Sequence, residues 1–309
     1  MIRHLFIINP KAGIRNPVEV ATQKIREAFI LNTDRENETY DIVLSQKKGD
    51  ATLLARKACL ENPGFTCIYA CGGDGTLHEV VNGVVGAENV AVCPVPVGSG
   101  NDFIRCFDDI PKERFLNVSA CIRGKEILCD VLRCGDFYSL NNISAGLDAA
   151  TGKRQNKVKN LPLISGGAAY KVALAYSFLT SMKNTIRFEI DGEPLLIGEG
   201  NVTLAVLGNG KYYGGGFKAT PLAELQDGLM DFCTVPTLSR MEFLKYVGDY
   251  KNGTHLETMP KVYYKKCKKI KMISEKPIVL QADGEIFERL DPEIEVVPGA
   301  LRLILPAED

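Results

Sequence analysis

Gly72-Gly73-Asp74-Gly75-Thr76 stands between an apolar run ending at Cys71 and a stretch of helical spacing that starts at Thr76. Glycines let the main chain approach a charged ligand and adopt φ > 0. Free N–H groups at a helix start suit phosphate oxygens, and Asp74 then stands where a metal carried by a nucleotide would be. A tight turn whose aspartate caps a helix would use the same residues, so the motif alone leaves both readings open. It is not a Walker A loop, because G-x-x-x-x-G-K-[ST] is absent. Two further glycine-bearing turns keep it company: Asn9-Pro10-Lys11-Ala12-Gly13 and Gly98-Ser99-Gly100-Asn101-Asp102, each after an apolar run. If those runs are parallel strands, all three turns share the carboxyl edge of one sheet, where doubly wound folds bind ligands.

The hydrophobic pattern supplies the elements that must hold these turns. Leu5–Ile8, Tyr40–Leu44, Phe65–Cys71 and Val90–Val97 read as strands. Val18–Leu31, a segment N-capped by Asp50 and carrying Leu53, Leu54, Ala58 and Leu60, and Thr76–Val85 read as helices. Continuous apolar strands alternating with helices predict an α/β fold with a doubly wound parallel sheet. After about residue 125 the pattern changes. Ile127–Arg133, Phe137–Ser144, Ile186–Ile190, Asn201–Gly208, Leu229–Val235, Val262–Met272 and Ile278–Ala282 are strand-like, interrupted by one helical stretch over Gly167–Met182. That predicts a β-rich second domain, a sandwich or open barrel. The expected organisation is a nucleotide domain over 1–125, with 300–309 packing back on it, and a β-rich domain over 126–299.

The trio NPKAG, GGDGTLHEVVNG and PVGSGNDF closely resembles the catalytic domain of the diacylglycerol, sphingosine and ceramide kinases, in its soluble bacterial branch. The resemblance continues through Gly146–Lys153, Asn209–Pro221 and Gln281–Glu285. It implies an active site in the cleft between the two domains, with ATP and Mg²⁺ as cofactors. By matching position the nucleotide would contact Asn9, Pro10, Lys11, Ala12, Gly13, Ser45, Gly72, Gly73, Asp74, Gly75, Thr76, Leu77 and Ser99. Asp74, Asp102 and Asp130 would form the carboxylate network around the catalytic Mg²⁺. Asp283 and Glu285 match an acidic pair that activates the lipid hydroxyl, although Asp-Gly is also a strong hairpin signal. Glu224, the Asp227 carboxylate and the Leu229 carbonyl match a structural Mg²⁺ loop.

These residue types suit the chemistry. Phosphoryl transfer needs positioning and charge neutralisation more than covalent help. Mg²⁺ prefers oxygen ligands, and a positioned carboxylate base is worth about 10²–10⁴-fold for a weak alcohol nucleophile. The activity expected is transfer of the ATP γ-phosphate to a lipid hydroxyl, with diacylglycerol the acceptor and phosphatidic acid the product. Sphingosine, ceramide and other lipid alcohols stay open as acceptors, since selectivity rests on a few pocket residues. A nucleotide-binding regulator without activity is the alternative of another class, and the full set of carboxylates speaks against it. NAD kinases share the GGDGT turn, but their downstream motif is not matched after residue 110.

Composition bounds the partners. A formal net charge of -1 removes the global case for nucleic-acid binding. Ten scattered cysteines without C-x-x-C pairs and three histidines speak against zinc and for a reducing compartment. No stretch approaches the length of a membrane span. The expected location is cytoplasmic, with transient visits to the inner membrane surface; a homodimer is left open. Lys251–Lys276 holds eight lysines against two acidic residues. It reads either as a patch for anionic lipid or as an edge strand guarded by lysine. Tyr212–Phe217 reads as an acyl-chain entrance or a surface loop, His78 as a helix-surface residue, and Ala168–Met182 as an amphipathic helix facing its own domain.

Overall fold

A computed structural model of the chain describes residues 2–13, 17–31, 38–62, 64–158, 176–178, 180–197 and 200–308. The chain divides into two compact units, Met1–Val131 with Pro298–Asp309, and Leu132–Val297. The divisions fall inside two long strands, Lys125–Cys134 and Glu293–Leu305.

In the first unit β1 (Ile2–Ile8), β2 (Glu38–Leu44), β3 (Phe65–Gly72) and β4 (Val90–Pro96) form a parallel sheet in the order β2-β1-β3-β4. The terminal strand Glu293–Leu305 joins beside β4 through Leu303 and Val92. Every residue of β4 is buried, which is why it reads as an unbroken apolar run. Phe6, Ile8, Tyr69 and Cys93 pack with Ile25 and Ala28 of α1 (Pro17–Leu31) and with Val118 and Cys121.

α2 (Asp50–Glu61) buries Ala51, Ala55 and Ala58, whereas Leu53 and Leu60 are 61% and 82% exposed. The small face is what lets α3 (Asp74–Val84) come close: a Cβ on Gly83 would lie 2.6 Å from the Thr52 carbonyl oxygen. Gly49, at φ 87, is the N-cap of α2 in place of the expected Asp50. Asp50 instead accepts the N–H groups of Gln46 and Lys47 with its carboxylate. His78 is buried rather than on the helix surface, and its Nε2 lies 3.3 Å from Asn82 Nδ2.

The second unit is a sandwich of two antiparallel sheets. One contains Asn142–Gly146, Asn201–Gly208, Met230–Pro236, Tyr263–Cys267, Ile278–Ala282 and Glu285–Arg289, with Asn184–Thr185 at its side. The other contains Arg187–Ile190, Glu193–Leu195, Lys269–Ile273 and the first part of the terminal strand. Ile143, Leu207, Phe232 and Leu280 of the first sheet meet Phe188, Ile270, Met272 and Ile294 of the second in one core. Two expected strands are each divided. Phe137–Ser144 breaks at Leu140-Asn141, and Val262–Met272 breaks at Lys268 so that its halves enter different sheets.

A helix absent from the sequence reading spans Arg240–Asn252. Its signal is a capping box: Ser239 Oγ accepts the Glu242 N–H at 3.2 Å, and Glu242 Oε2 accepts the Ser239 N–H at 2.9 Å. The helix expected over Gly167–Met182, with Val172, Ala175 and Leu179 of its apolar stripe, lies for the most part outside the described residues.

Candidate active site

Main-chain hydrogen bonds knit the three glycine-bearing turns of the first unit together at the carboxyl ends of the strands. Asn9 N donates to the Cys71 carbonyl, Gly98 N to Gly72 and Asp74 N to Gly100, each at 3.0 Å. Ser45 joins the same edge, its N–H donating to the Ile8 carbonyl at 3.0 Å. Side chains tighten the set. Asn9 Nδ2 donates to Thr76 Oγ1 at 3.2 Å, while its Oδ1 accepts the Lys11 N–H at 3.0 Å. Asp74 accepts the Asp102 N–H at 2.8 Å and the Phe103 N–H at 3.2 Å on its two oxygens. Its carboxylate therefore clips the second turn to the third.

The two turns touch without side chains between them. A Cβ on Gly98 would lie 2.5 Å from the Gly73 nitrogen and Cα, and one on Gly73 would lie 2.6 Å from the Gly100 carbonyl oxygen. Only hydrogen fits there. After Gly73 the chain turns straight into α3, with Thr76 N and Leu77 N both donating to the Gly73 carbonyl. Beside these turns lies a cavity of about 390 Å³ walled by Gly13, Cys71, Val97, Gly98 and Ser99, with Lys24 and Lys112 at its border. The two lysines escaped the sequence reading because they belong to helices remote from the motifs.

Asp102 and Asp130 are both buried. Asp102 pairs with Arg105 at 3.3 Å, and Asp130 Oδ1 accepts the Gly299 N–H at 2.7 Å, tying the strand Lys125–Cys134 to the terminal strand. Asp74, Asp102, Ser45 and the residues of the three turns thus share one edge, while Asp130 is held by the returning chain end.

In the second unit Asp283 opens a hairpin at φ 47, followed by Gly284 at φ 91. Its carboxylate accepts the Ser139 hydroxyl at 2.7 Å and the main-chain N–H groups of Leu140, Asn141 and Asn142 at 2.8, 3.1 and 3.0 Å. Asp283 therefore pins the turn that divides the expected strand Phe137–Ser144. Glu285, half-buried, starts the next strand.

Beside this hairpin is an apolar cavity of about 390 Å³, bordered by Gly284 and Gln281. Leu147, Leu204, Val235, Leu238 and Phe243 wall it, together with Tyr213 and Phe217 of the aromatic loop. That loop is closed by reciprocal Tyr213 and Phe217 main-chain bonds at 2.9 Å, so it is a cavity wall rather than a free surface loop. Asp148, in the first turn of the helix Leu147–Val158, also lines the cavity. It was not singled out from sequence, although one aspartate within Ile143-Ser144-Ala145-Gly146-Leu147-Asp148-Ala149-Ala150 is a signal.

The loop expected to hold a structural Mg²⁺ has a different cation. Lys266 Nζ pairs with Asp227 Oδ2, and lies 3.6 Å from Asp231 Oδ2 and 3.7 Å from Glu224 Oε1. The other Asp227 oxygen accepts the Leu229 N–H at 3.0 Å, and the other Asp231 oxygen accepts the Tyr264 hydroxyl at 2.6 Å. Burial pushes the Asp231 carboxyl up, opposed by Tyr264 and Lys266. Burial alone would lower Lys266, but Asp227, Asp231 and Glu224 hold it above its ordinary value. Of the expected donor set, the Asp227 carboxylate is engaged by the Lys266 ammonium and the Leu229 amide, and the exposed Glu224 carboxylate lies 3.7 Å from the same ammonium. Among the described residues no group of three or more His, Cys, Asp or Glu could hold a metal.

Two family models match successive parts of the chain. Residues 3–134 match the family described as the diacylglycerol kinase catalytic domain. Residues 141–305 match the YegS C-terminal NAD kinase beta sandwich-like domain, a kinship in fold with NAD kinases that the motifs after residue 110 do not reveal. A diacylglycerol kinase of Staphylococcus aureus (strain JH9) is 31% identical over 291 residues, covering 93% of this chain and 87% of that protein. Two crystal structures from Bacillus anthracis str. Sterne share the fold. One, of a putative diacylglycerol kinase, has a TM-score of 0.72 at 22% identity, and covers 98% of this chain and 96% of its own. The other, of a diacylglycerol kinase, has a TM-score of 0.70 at 20% identity with the same coverage.

Proposed function

The chain belongs to the diacylglycerol kinase family and is a lipid kinase; from that premise we propose that it transfers the γ-phosphate of ATP to the free hydroxyl of diacylglycerol, giving phosphatidic acid. The observation that carries the acceptor is the apolar cavity of about 390 Å³ beside the Asp283-Gly284-Glu285 hairpin. A cavity walled by leucine, valine and phenylalanine takes hydrocarbon and rejects a sugar or a nucleoside.

On this reading the main-chain N–H groups of the glycine-bearing turns hold the nucleotide phosphates. Asn9 and Thr76 fix the first two turns to one another, and Ser45 and Ser99 border the nucleotide. Asp74 and Asp102 face its phosphates, with Asp130 supporting them from the strand behind. Mg²⁺ carried by ATP supplies charge neutralisation when bound. Glu285 takes the proton of the lipid hydroxyl, and Asp283 positions the hairpin that carries it. Among the described residues no helix is long and apolar enough to cross a membrane. The enzyme therefore meets its lipid by peripheral contact, for which the exposed Lys265 and Lys268 are the basic residues at hand, each worth roughly 1 kcal/mol near an anionic surface.

The test is direct. Purified protein with Mg-ATP is offered detergent-dispersed diacylglycerol, sphingosine, ceramide and phosphatidylglycerol in parallel, and phosphate incorporation is counted. Diacylglycerol should be the preferred acceptor, and Asp74→Asn should lower turnover at least 100-fold while circular dichroism stays unchanged, in line with loss of an electrostatic anchor. Preference for another alcohol would overturn the acceptor, and a normal rate for Asp74→Asn would overturn the site.

A further inference from the structure

The helix Arg240–Asn252 carries apolar residues on two faces. Phe243, Tyr246, Val247 and Tyr250 stand at the i, i+3, i+4 and i+7 spacing of one face and wall the apolar cavity of the second unit. On the opposite side Met241 and Leu244, three residues apart, are 76% and 59% exposed. A helix that only covers its own core keeps its outer face polar, so the inner row is explained by the cavity and the outer pair is not.

Charge on the outer face has one sign. The exposed residues of the helix include the cations Arg240, Lys245 and Lys251 and no carboxylate. Of its two acids, Glu242 is held in the cap by the Ser239 N–H and lies 3.8 Å from Lys261, and Asp249 is half-buried. The capping box at Ser239 and the C-cap Gly253 at φ 80 close both ends of the helix. Its outer face is thus built before anything binds, and docking there has no helix to order.

These features select the occupant. A second copy on a two-fold axis would set the same cations against one another. Two apolar side chains also fall far short of the roughly 1,000 Å² that a stable protein interface buries. A membrane asks for less: a few apolar side chains at the acyl boundary beside cations among anionic headgroups. The acyl chains that suit the cavity are held in such a surface, and the cavity lies one helix width away, about 10 Å.

We propose that the outer face of the helix Arg240–Asn252 docks on an anionic lipid surface, with Met241 and Leu244 entering the acyl boundary and Lys245 and Lys251 meeting the headgroups. One helix then seats the enzyme on the membrane and walls the cavity that receives the lipid. This rests on the lipid-kinase reading of that cavity.

The experiment measures sedimentation with phosphatidylcholine vesicles, with and without phosphatidylglycerol. It also measures turnover on long-chain diacylglycerol in those vesicles and on a short-chain, water-soluble diacylglycerol. Met241→Ser with Leu244→Ser should weaken vesicle binding at least tenfold and raise the apparent KM for vesicle substrate, while short-chain turnover stays at the wild-type rate. Lys245→Gln with Lys251→Gln should weaken binding about fivefold per lysine, and only where phosphatidylglycerol is present. Leu53→Ser with Leu60→Ser, an exposed apolar pair of the first unit, should bind as wild type does. Unchanged vesicle binding in the Met241 and Leu244 variant, or an equal loss in the Leu53 and Leu60 variant, would overturn the proposal. So would a wild-type dimer that the Met241 and Leu244 changes dissociate with vesicle binding kept, which would give the face to a second copy. The readouts separate the failures. Vesicle binding that depends on this face without phosphate transfer to diacylglycerol would sink the acceptor and leave the docking face standing. Normal vesicle turnover in the Met241 and Leu244 variant would sink the docking face alone.

Discussion

Replacing Lys266 by methionine removes a cation and keeps most of the side-chain volume. What remains is Asp231, wholly buried, with Asp227 at 20% side-chain exposure and Glu224 at 72%. Breaking a fully buried pair costs about 3–5 kcal/mol because it strands a charge. Lys266 is itself 30% exposed, so water offsets part of that penalty, and Glu224 contributes little. About 2 kcal/mol is the reasonable expectation, which for a unit of this size lowers Tm by roughly 4–8 °C. The assay is thermal unfolding with and without chelator. Wild type should unfold at the same temperature in EDTA and in millimolar Mg²⁺, because its loop carries its own ammonium. Lys266→Met leaves three carboxylates around the vacated position, so millimolar Mg²⁺ or Ca²⁺ should recover part of the loss by mass action. Two results would refute the reasoning. One is a wild-type Tm that falls in EDTA. The other is a divalent ion that copurifies with wild type and is released by Asp227→Asn.

Three further expectations follow from other sites. Burial raises the Asp148 carboxyl from 3.8 to about 6, so its ionised form is disfavoured in the fold. Its contribution to stability is whole below 3.8 and is lost as pH rises through about 6; Asp148→Asn should therefore exceed wild type above pH 6 by up to about 3 kcal/mol, with the gap closing in acid, as urea titrations at several pH values would record. Gly98→Ala would set a methyl 2.5 Å from the Gly73 main chain, so the two turns must part, and calorimetry should find ATP affinity lowered at least tenfold. Asp283→Ala removes the acceptor for four donors and should cost about 3 kcal/mol or more in denaturant unfolding, whereas Glu285→Gln should lower turnover with little change in stability.

Where local sequence decides the structure, the reading from sequence and the fold agree closely. The three glycine-bearing turns announce themselves because a buried parallel strand must read as an unbroken apolar run, and the turn after it needs residues without Cβ. The sandwich was legible only as a class. Nothing local says that the chain breaks at Lys268 to enter a second sheet, since the alternation of tyrosine, lysine and apolar residues runs straight through the break. The buried face of α2 is not legible from its leucines, because close approach to α3 favours alanine over the larger side chains, a demand made by a helix more than a dozen residues away. The capping box at Ser239 and Glu242 was readable and overlooked.

Carboxylates expose a deeper limit. Sequence ranks Asp74, Asp283 and Asp227 by the motifs around them, but chemistry depends on which lone pairs are already taken. Asp283 is spent on a turn some 140 residues away in the chain, and Asp227 on a lysine 39 residues away. Asp148 stood in no reading, and it is the carboxylate with an unpartnered oxygen on a cavity wall. A motif identifies groups able to act. Whether an acid acts, positions or merely holds the chain is decided by partners distant in sequence, so the count of donors around each oxygen is the quantity on which roles should be assigned.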